Sequence, residues 1–423
     1  MQLKYFYSSS KPAIHRFFDT SPVSNCGNYL IITEFENDTK LPSEGVPAYV
    51  VVVNISDGSE VYRRKTFGWD SQLGAQTQWS FNSKYILFND VIKGKAIGLK
   101  VDILSKTETQ LDHTIYMASP VCNKAISPNL SLINFVQAGY GVHIPNPEKP
   151  RRGFAANNVI TEICLETGNK KTLITAEFLF KSILTASNFD KIKRGFNFIF
   201  HVKYSPNGKN ILIILRNKPK LEKLKSSNFL VNYNIESGEV NLLVTPKRWG
   251  SGHHPNWCPD SLHIVMNLNF RRYPICISKV AELFDKVSNK LFRRYIFRAN
   301  PLRIALINSQ TGKIANFSGI ILGSGHPIMH SDMTHVITDC YPHEPVANAD
   351  ASVPLRLITK NQQKSIINLE TIPTYYGPNK EWRIDPHPVF SKDFRYLVFN
   401  FKSTKSNRTV GIIDFEQYIR SIK

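Results

Sequence analysis

Four of the twelve histidines in this 423-residue chain stand in near-identical surroundings: His201 opens HVKYSPNGKNILII, His254 opens HPNWCPDSLHIVMN, His326 opens HPIMHSDMTHVITD and His387 opens HPVFSKDFRYLVFN. Imidazoles gathered at one place support two kinds of chemistry. With a carboxylate, and Asp385 stands two residues before His387, the group His254, His326, His387 and Asp385 holds a divalent cation such as Mn²⁺, Ca²⁺ or Zn²⁺ through neutral nitrogen donors. With arginine and tyrosine, the same rings bind a sugar carboxylate and move protons near neutral pH. His201 is the proton carrier in that reading, and His253, Arg383 and Gln76 are its substrate-binding neighbours. A third use is purely structural, with each histidine capping the backbone of an adjacent strand.

A second group lies in VQAGYGVHIPNPEKPRRGF. Gly139 and Gly141 flank Tyr140 and permit a tight backbone that presents the phenol, while Arg151 and Arg152 follow within a loop. Tyrosine beside an arginine-neutralised carboxylate suits proton abstraction from the adjacent carbon. Tyr140 equally suits packing the loop onto the rest of the fold.

Elements that could bring such distant residues together are visible as a repeat. The frame around the four histidines recurs as QTQWSFNSKYILFN from Gln76, NKAISPNLSLINFV from Asn123 and TSPVSNCGNYLIIT from Thr20, which makes seven copies. Each has a turn of Ser, Pro, Asn, Asp or Gly followed by a β-rich run, the pattern of a hairpin. A second hairpin follows most copies, as in YVVVVNISDGSEVYRR and LVNYNIESGEVNLLV. Four strands per repeat is a propeller blade, and the repeats are near or above the roughly 40–50 residues typical of one. The sequence therefore predicts an all-β fold, a seven-bladed β-propeller with a short helical insertion, as one domain over residues 1–423. Insertions fall at about 137–157 and 271–300, the latter with helically spaced apolar residues. The first strand of a blade lines the central channel, so Thr20, Gln76, Asn123, His201, His254, His326 and His387 are expected to form a ring. LKYFY near the start or YIRSI near the end must close the last blade.

Composition narrows the partner. A net charge of +20 with dispersed basic residues and small clusters at 218–225 and 293–298 points to an anionic partner, without the basic-aromatic modules of specific nucleic-acid binding. No run is long and apolar enough for a signal peptide's core or a membrane span, and six scattered cysteines without a CxxC pair read as free thiols of a cytoplasmic protein. No GxGxxG, Walker A loop, GxSxG or HExxH occurs.

The segments GSGHPIMHSDMTHVITDCYP, WRIDPHPVFSKDFRYLVFN and QLGAQTQWSFNSKYILFND, with the AGYG insertion, resemble the seven-bladed propeller polysaccharide lyases: oligogalacturonate lyase, the ulvan lyases and the rhamnose–glucuronate lyases. The resemblance implies a site that binds a uronic acid, an arginine that neutralises its carboxylate and a His or Tyr that performs β-elimination. Tyr140 is similar to the family's catalytic tyrosine, Arg151 or Arg152 is placed like its neutralising arginine, and His387 resembles one of its metal-binding histidines. Gln76 stands where lyases of the ulvan and rhamnose–glucuronate type carry a catalytic histidine, and Trp382 and Asp385 stand where the oligogalacturonate branch has Gln and His. The expected function is binding or cleavage of a uronate-containing oligosaccharide or polysaccharide. The alternative is a non-enzymatic propeller scaffold for a protein or an anionic polymer.

Overall fold

The structure is a computed structural model and describes all residues except 1–2, 38–39, 41–44, 222–225, 251, 271–274, 293–295, 298–300, 321–322, 343, 345, 349, 351, 366–381, 403–407 and 423. Much of both basic clusters noted in the sequence falls outside the described residues.

Seven four-stranded antiparallel sheets account for the strands, and the fold is a seven-bladed β-propeller. In six blades the strands are consecutive in sequence. The seventh takes Val389–Phe390, Tyr396–Lys402 and Arg408–Asp414 from the C-terminal end and closes with Tyr5–Phe6, paired Tyr5 to Ile412 and Phe6 to Gly411. LKYFY is thus the closing strand. YIRSI instead ends a terminal helix, Phe415–Ile422, whose Phe415 is wholly buried.

By contacts the chain divides into two compact units, one of residues 243–374 carrying blades five and six, the other of residues 3–242 and 375–423 carrying blades one to four and seven. Blade one shows why the strands are so apolar. In Ala48–Asn54, Val50 and Val52 pack with Ile86, Phe88 and Leu99 of blade two, whereas Val51 and Val53 pack with Val398, Val410 and Ile412 of blade seven. Side chains alternate across a strand, so a blade covered on both faces needs an uninterrupted apolar run. In the smaller unit Val265, Ile304, Met329, Val336 and Ile358 form the corresponding layer around Cys258.

One repeat is framed differently from its sequence reading. The first hairpin of blade three joins Met117–Ala118 to Lys124–Ser127, and its turn begins at Ser119, whose N–H donates to the carbonyl of Lys124. Asn123 therefore lies in the turn, its amide donating to Glu166 at 2.9 Å, and Ile115 holds the position four residues ahead of the turn serine. The misleading SPN at 127–129 is a helix cap: the Asn129 side chain accepts from the N–H of Ser131 at the start of Leu130–Ile133. Helix Ile275–Phe292 occupies the second insertion as expected. Two more, Ala176–Ile183 and Ala186–Lys193, were not foreseen; Thr175 caps the first by accepting from Phe178 N–H. No described helix is long and apolar enough to cross a membrane.

Candidate functional site

The larger unit assembles a layered polar site. At its base Asp19 is paired with Arg16 at 2.7 Å and with Lys203 at 3.2 Å, all three side chains within 3 % of complete burial. Lys203 lies over the ring of Phe18 at 4.1 Å. Burial opposes ionisation of Asp19, but the neighbouring ammonium and guanidinium outweigh it and hold the carboxyl down at about 2. The remaining Arg16 donors go to Thr20, to the Tyr116 carbonyl at 2.6 Å and to Gln76 Oε1 at 3.1 Å. Gln76 turns its amide to Asp70 at 3.4 Å, so it braces two buried charges.

Asp70 in turn fixes the tyrosine loop. Its carboxylate accepts the N–H groups of Leu73 at 2.5 Å, Gln72 at 3.0 Å and Gly141 at 2.9 Å. Burial pushes that carboxyl up to about 7 against those donors. Gly141 is required where it stands, because at φ 91 an added Cβ would meet the Leu130 carbonyl oxygen at 2.4 Å. Tyr140 is thereby held with its ring edge-on to Phe200 and His201, at 5.8 and 5.9 Å.

The Tyr140 hydroxyl accepts from Arg383 Nη2 at 3.2 Å, and Arg383 Nε donates to Asp385 Oδ2 at 2.8 Å. His387 Nε2 is 3.8 Å from the same carboxylate oxygen, and its ring packs edge-on against Phe17. Burial raises the Tyr140 phenol above its usual value while Arg383 pulls it back. His201 is bonded through Nδ1 to the Tyr116 hydroxyl. Burial, then the charges of Lys203 and Arg216, keep its imidazole neutral by lowering its pKa well below the ordinary range. Phe200 carries Arg216 on its face at 3.8 Å. That guanidinium donates to Asn228 at 2.9 Å and Gln137 at 2.9 Å, both neutral, and no ion pair with a carboxylate is seen for it among the described residues. Burial lowers its pKa to about 10, so it remains charged at neutral pH.

The smaller unit has its own histidine group. His254 and His326 stack with centroids 3.8 Å apart. His254 spends one ring nitrogen on the Gly325 carbonyl at 2.9 Å and faces the Tyr341 hydroxyl with the other at 3.4 Å. His326 Nδ1 is 2.9 Å from Asp339 Oδ2, the carboxylate–histidine arrangement that fixes a ligand's tautomer and leaves the lone pair on Nε2. His253 adjoins His254, ring to ring at 5.3 Å.

Of the residues nominated from sequence, Tyr140, His201, Gln76, Arg383, Asp385 and His387 come together in the larger unit, and His253, His254 and His326 in the smaller. Arg151 and Arg152 are exposed; Arg152 caps the Arg194 carbonyl and overlies Phe196 at 5.3 Å, away from Tyr140's partners. Gln76, His254 and His387 share an unusual backbone, with φ of 58°, 53° and 47°, a conformation that non-glycine residues adopt where the surroundings impose it. Sequence reasoning missed Asp19, Lys203, Asp70 and Arg216. A signal existed for two of them: Lys203 and Arg216 are lone cations in the otherwise apolar strands FNFIFHVKY and NILIILRNK.

No protein-family model and no curated protein matches the chain by sequence. Solved structures do match in fold. Oligogalacturonate lyase from Vibrio parahaemolyticus aligns with a TM-score of 0.60 at 12% identity over 98% of this chain and 94% of that one. An oligogalacturonate lyase in complex with manganese aligns with a TM-score of 0.59 at 11% identity over 95% and 89%.

Proposed function

We propose that the chain binds a uronate-containing oligosaccharide and cleaves it by β-elimination at the Tyr140 site. One observation carries this reading: a buried tyrosine, its hydroxyl bonded to Arg383, packs its ring against Phe200, and the same Phe200 ring carries Arg216, a guanidinium whose described hydrogen-bond partners are neutral. A half-buried cation without a carboxylate partner is poorly compensated until an anion completes it. A uronate carboxylate has the charge and the planar two-oxygen geometry that a guanidinium recognises.

In the elimination, the proton on the carbon bearing the carboxylate is removed and the bond from the neighbouring carbon to the leaving sugar oxygen breaks. A double bond forms between the two carbons, and the leaving oxygen takes up a proton. Arg216 neutralises the carboxylate and so stabilises charge developing beside it. Tyr140, acting as the phenolate that Arg383 stabilises, takes the proton from carbon, and the phenol so formed gives it to the leaving sugar oxygen, which restores the phenolate. His201, held neutral, adds no competing positive charge beside the phenol.

Asp385 and His387 are the oxygen and nitrogen donors that the larger unit places together, a pair suited to Mn²⁺ or Zn²⁺ more than to Ca²⁺. A divalent cation bound there would supply further positive charge for an acidic sugar. Glutamine is tolerated at the same repeat position with the same backbone, as Gln76 shows. His387→Gln is therefore expected to fold and to lower the manganese retained after gel filtration at least tenfold. Unchanged metal content would remove His387 from the ligand set.

The direct test is the ultraviolet absorbance of unsaturated uronate on a panel of acidic oligosaccharides. Arg216→Gln is expected to lower kcat/KM on the substrate found by about 100-fold, the scale for losing one charge-stabilising donor. The scaffold reading has its own support: helix Ile275–Phe292 leaves Ile277, Val280, Leu283, Phe284 and Leu291 each more than half exposed, an apolar face of the kind that protein partners cover. Oligosaccharide binding without any rise in absorbance across the panel would favour the scaffold over the lyase.

A further inference from the structure

The first turns of four blades are built to a common pattern, and blade six departs from it. In blades one, two, four and seven the turn opens with Ser24, Ser80, Ser205 and Ser391. Each hydroxyl accepts the N–H of the residue five positions on, Tyr29, Tyr85, Asn210 and Tyr396, at 2.8 to 3.1 Å. Three of these serines also donate to the side chain two residues on, Asn82, Asn207 or Asp393. Blade five alters the end of the turn: His263 Nδ1 lies 2.6 Å from Asp260 Oδ2, and the opening residue is the wholly buried Cys258. Blade six has His330, Asp332 and His335 at the three positions.

The backbone of that turn needs none of the imidazoles. His330 N–H donates to the His335 carbonyl at 2.8 Å and Met333 N–H to the His330 carbonyl at 3.0 Å. Asp332 closes the turn with Oδ1 alone, accepting from Thr334 N–H at 2.8 Å and His335 N–H at 3.2 Å. Its second oxygen is left facing two rings, with Oδ2 at 3.1 Å from His330 Nδ1 and 2.6 Å from His335 Nδ1. His330 Nδ1 also receives the Asp332 N–H at 3.4 Å, which marks it as the nitrogen with the lone pair. A lone-pair nitrogen and a carboxylate oxygen at that separation repel unless a cation or proton lies between them. The three donor atoms lie within 4.8 Å of one another. Ligands of a tetrahedral zinc ion, with bonds of about 2.0–2.2 Å, are roughly 3.3 Å apart, so a small opening of the turn admits the ion. The side chains are 15%, 31% and 18% exposed, which leaves a face for water to complete the coordination.

We propose that the blade-six turn binds a divalent transition-metal ion of the zinc class through His330 Nδ1, Asp332 Oδ2 and His335 Nδ1. The site is distinct in sequence from the Asp385 and His387 pair and does not depend on the lyase reading. The carboxylate supplies the charge, the two imidazoles supply selectivity for zinc over calcium or magnesium, and the ion pins the two strands of the hairpin together.

The test uses the full-length protein and zinc alone, in competition with a chromophoric chelator. The repeat supplies variants that other blades already accommodate: His330→Ser restores the usual opening residue, and His335→Tyr restores the usual closing one. Each is expected to weaken one zinc equivalent by at least tenfold, and the double variant to lose that equivalent while His387→Gln retains it. Wild-type stoichiometry and affinity in the double variant would overturn the proposal, as would failure of the wild-type protein to take up zinc at micromolar concentration. Should the double variant fail to fold, the two single variants decide the matter in the same way.

Discussion

Asp19→Ala is expected to destabilise the protein by about 3–5 kcal/mol, a large part of the roughly 5–15 kcal/mol by which a folded domain is stable. Asp19 is the carboxylate common to Arg16 and Lys203, at 2.7 and 3.2 Å, and neither cation has more than a trace of solvent contact. Truncation strips both of their shared counter-charge where water cannot replace it. Denaturant unfolding should show the loss as a lower midpoint with an unchanged slope. The pH dependence follows from the same contacts. Because the carboxyl is held at about 2 in the folded protein, against an ordinary 3.8, the unfolded chain binds the proton more readily. The stabilisation is therefore present above about pH 4 and is lost as pH falls toward 2. Asp19→Asn should remove that acid slope. A midpoint shift equivalent to less than about 1 kcal/mol in Asp19→Ala would mean that the two cations find other partners and that the cluster is not a keystone of the larger unit.

Tyr140→Phe is expected to lower kcat/KM on an acidic oligosaccharide by about 10²–10⁴-fold, the range for losing a positioned proton carrier. The substitution keeps the ring, and with it the packing on Phe200 and His201. It removes only the hydroxyl that accepts from Arg383, at a stability cost of about 0.5–1.5 kcal/mol for one hydrogen bond. Substrate affinity, measured by calorimetry with a non-cleavable acidic oligosaccharide, should change by only a few fold, because Arg216 still meets the carboxylate. Unchanged turnover would take Tyr140 out of the chemistry and the elimination reading with it. A parallel loss of affinity and turnover would instead make the tyrosine a binding group. His201→Gln separates the two roles further: the neutral imidazole bonds to Tyr116 rather than to Tyr140, so its loss should disturb the tyrosine's setting more than the proton transfer itself.

The geometry also revises how the sequence-level ring is understood. Gln76 is engaged with Arg16 and Asp70 and is almost fully buried. It links Arg16 to Asp70, the carboxylate that accepts the N–H of Gly141 next to Tyr140. Arg151 and Arg152, which follow Tyr140 closely in sequence, are exposed, and the proposed function gives the carboxylate-neutralising role to Arg216 instead. Arg216 is distant in sequence and enters on a strand of the next blade. The loop carrying Tyr140 returns to Asp70 and Phe200, whereas Arg151 and Arg152 face solvent.

Local pattern by itself determined six of the seven hairpins, the uninterrupted apolar strands between them, the helix at 275–292 and the recurrence of histidine at one register. These depend on neighbours within a few residues and on the period of two along a strand. It failed at Asn123, where a helix cap uses the same Ser-Pro-Asn residues as a hairpin turn. It left both LKYFY and YIRSI as closing strands, because both are short and β-prone. Only the tertiary structure decided those two points, and only it decided which charges are matched: that Asp19 neutralises Arg16 and Lys203, that Gln76 spans Arg16 and Asp70, and that Arg216 has neutral partners beside Tyr140. The Lys203–Asp19 pair joins residues nearly two hundred positions apart and the Arg16–Gln76 bond spans sixty, and no local spacing in the chain encodes those distances.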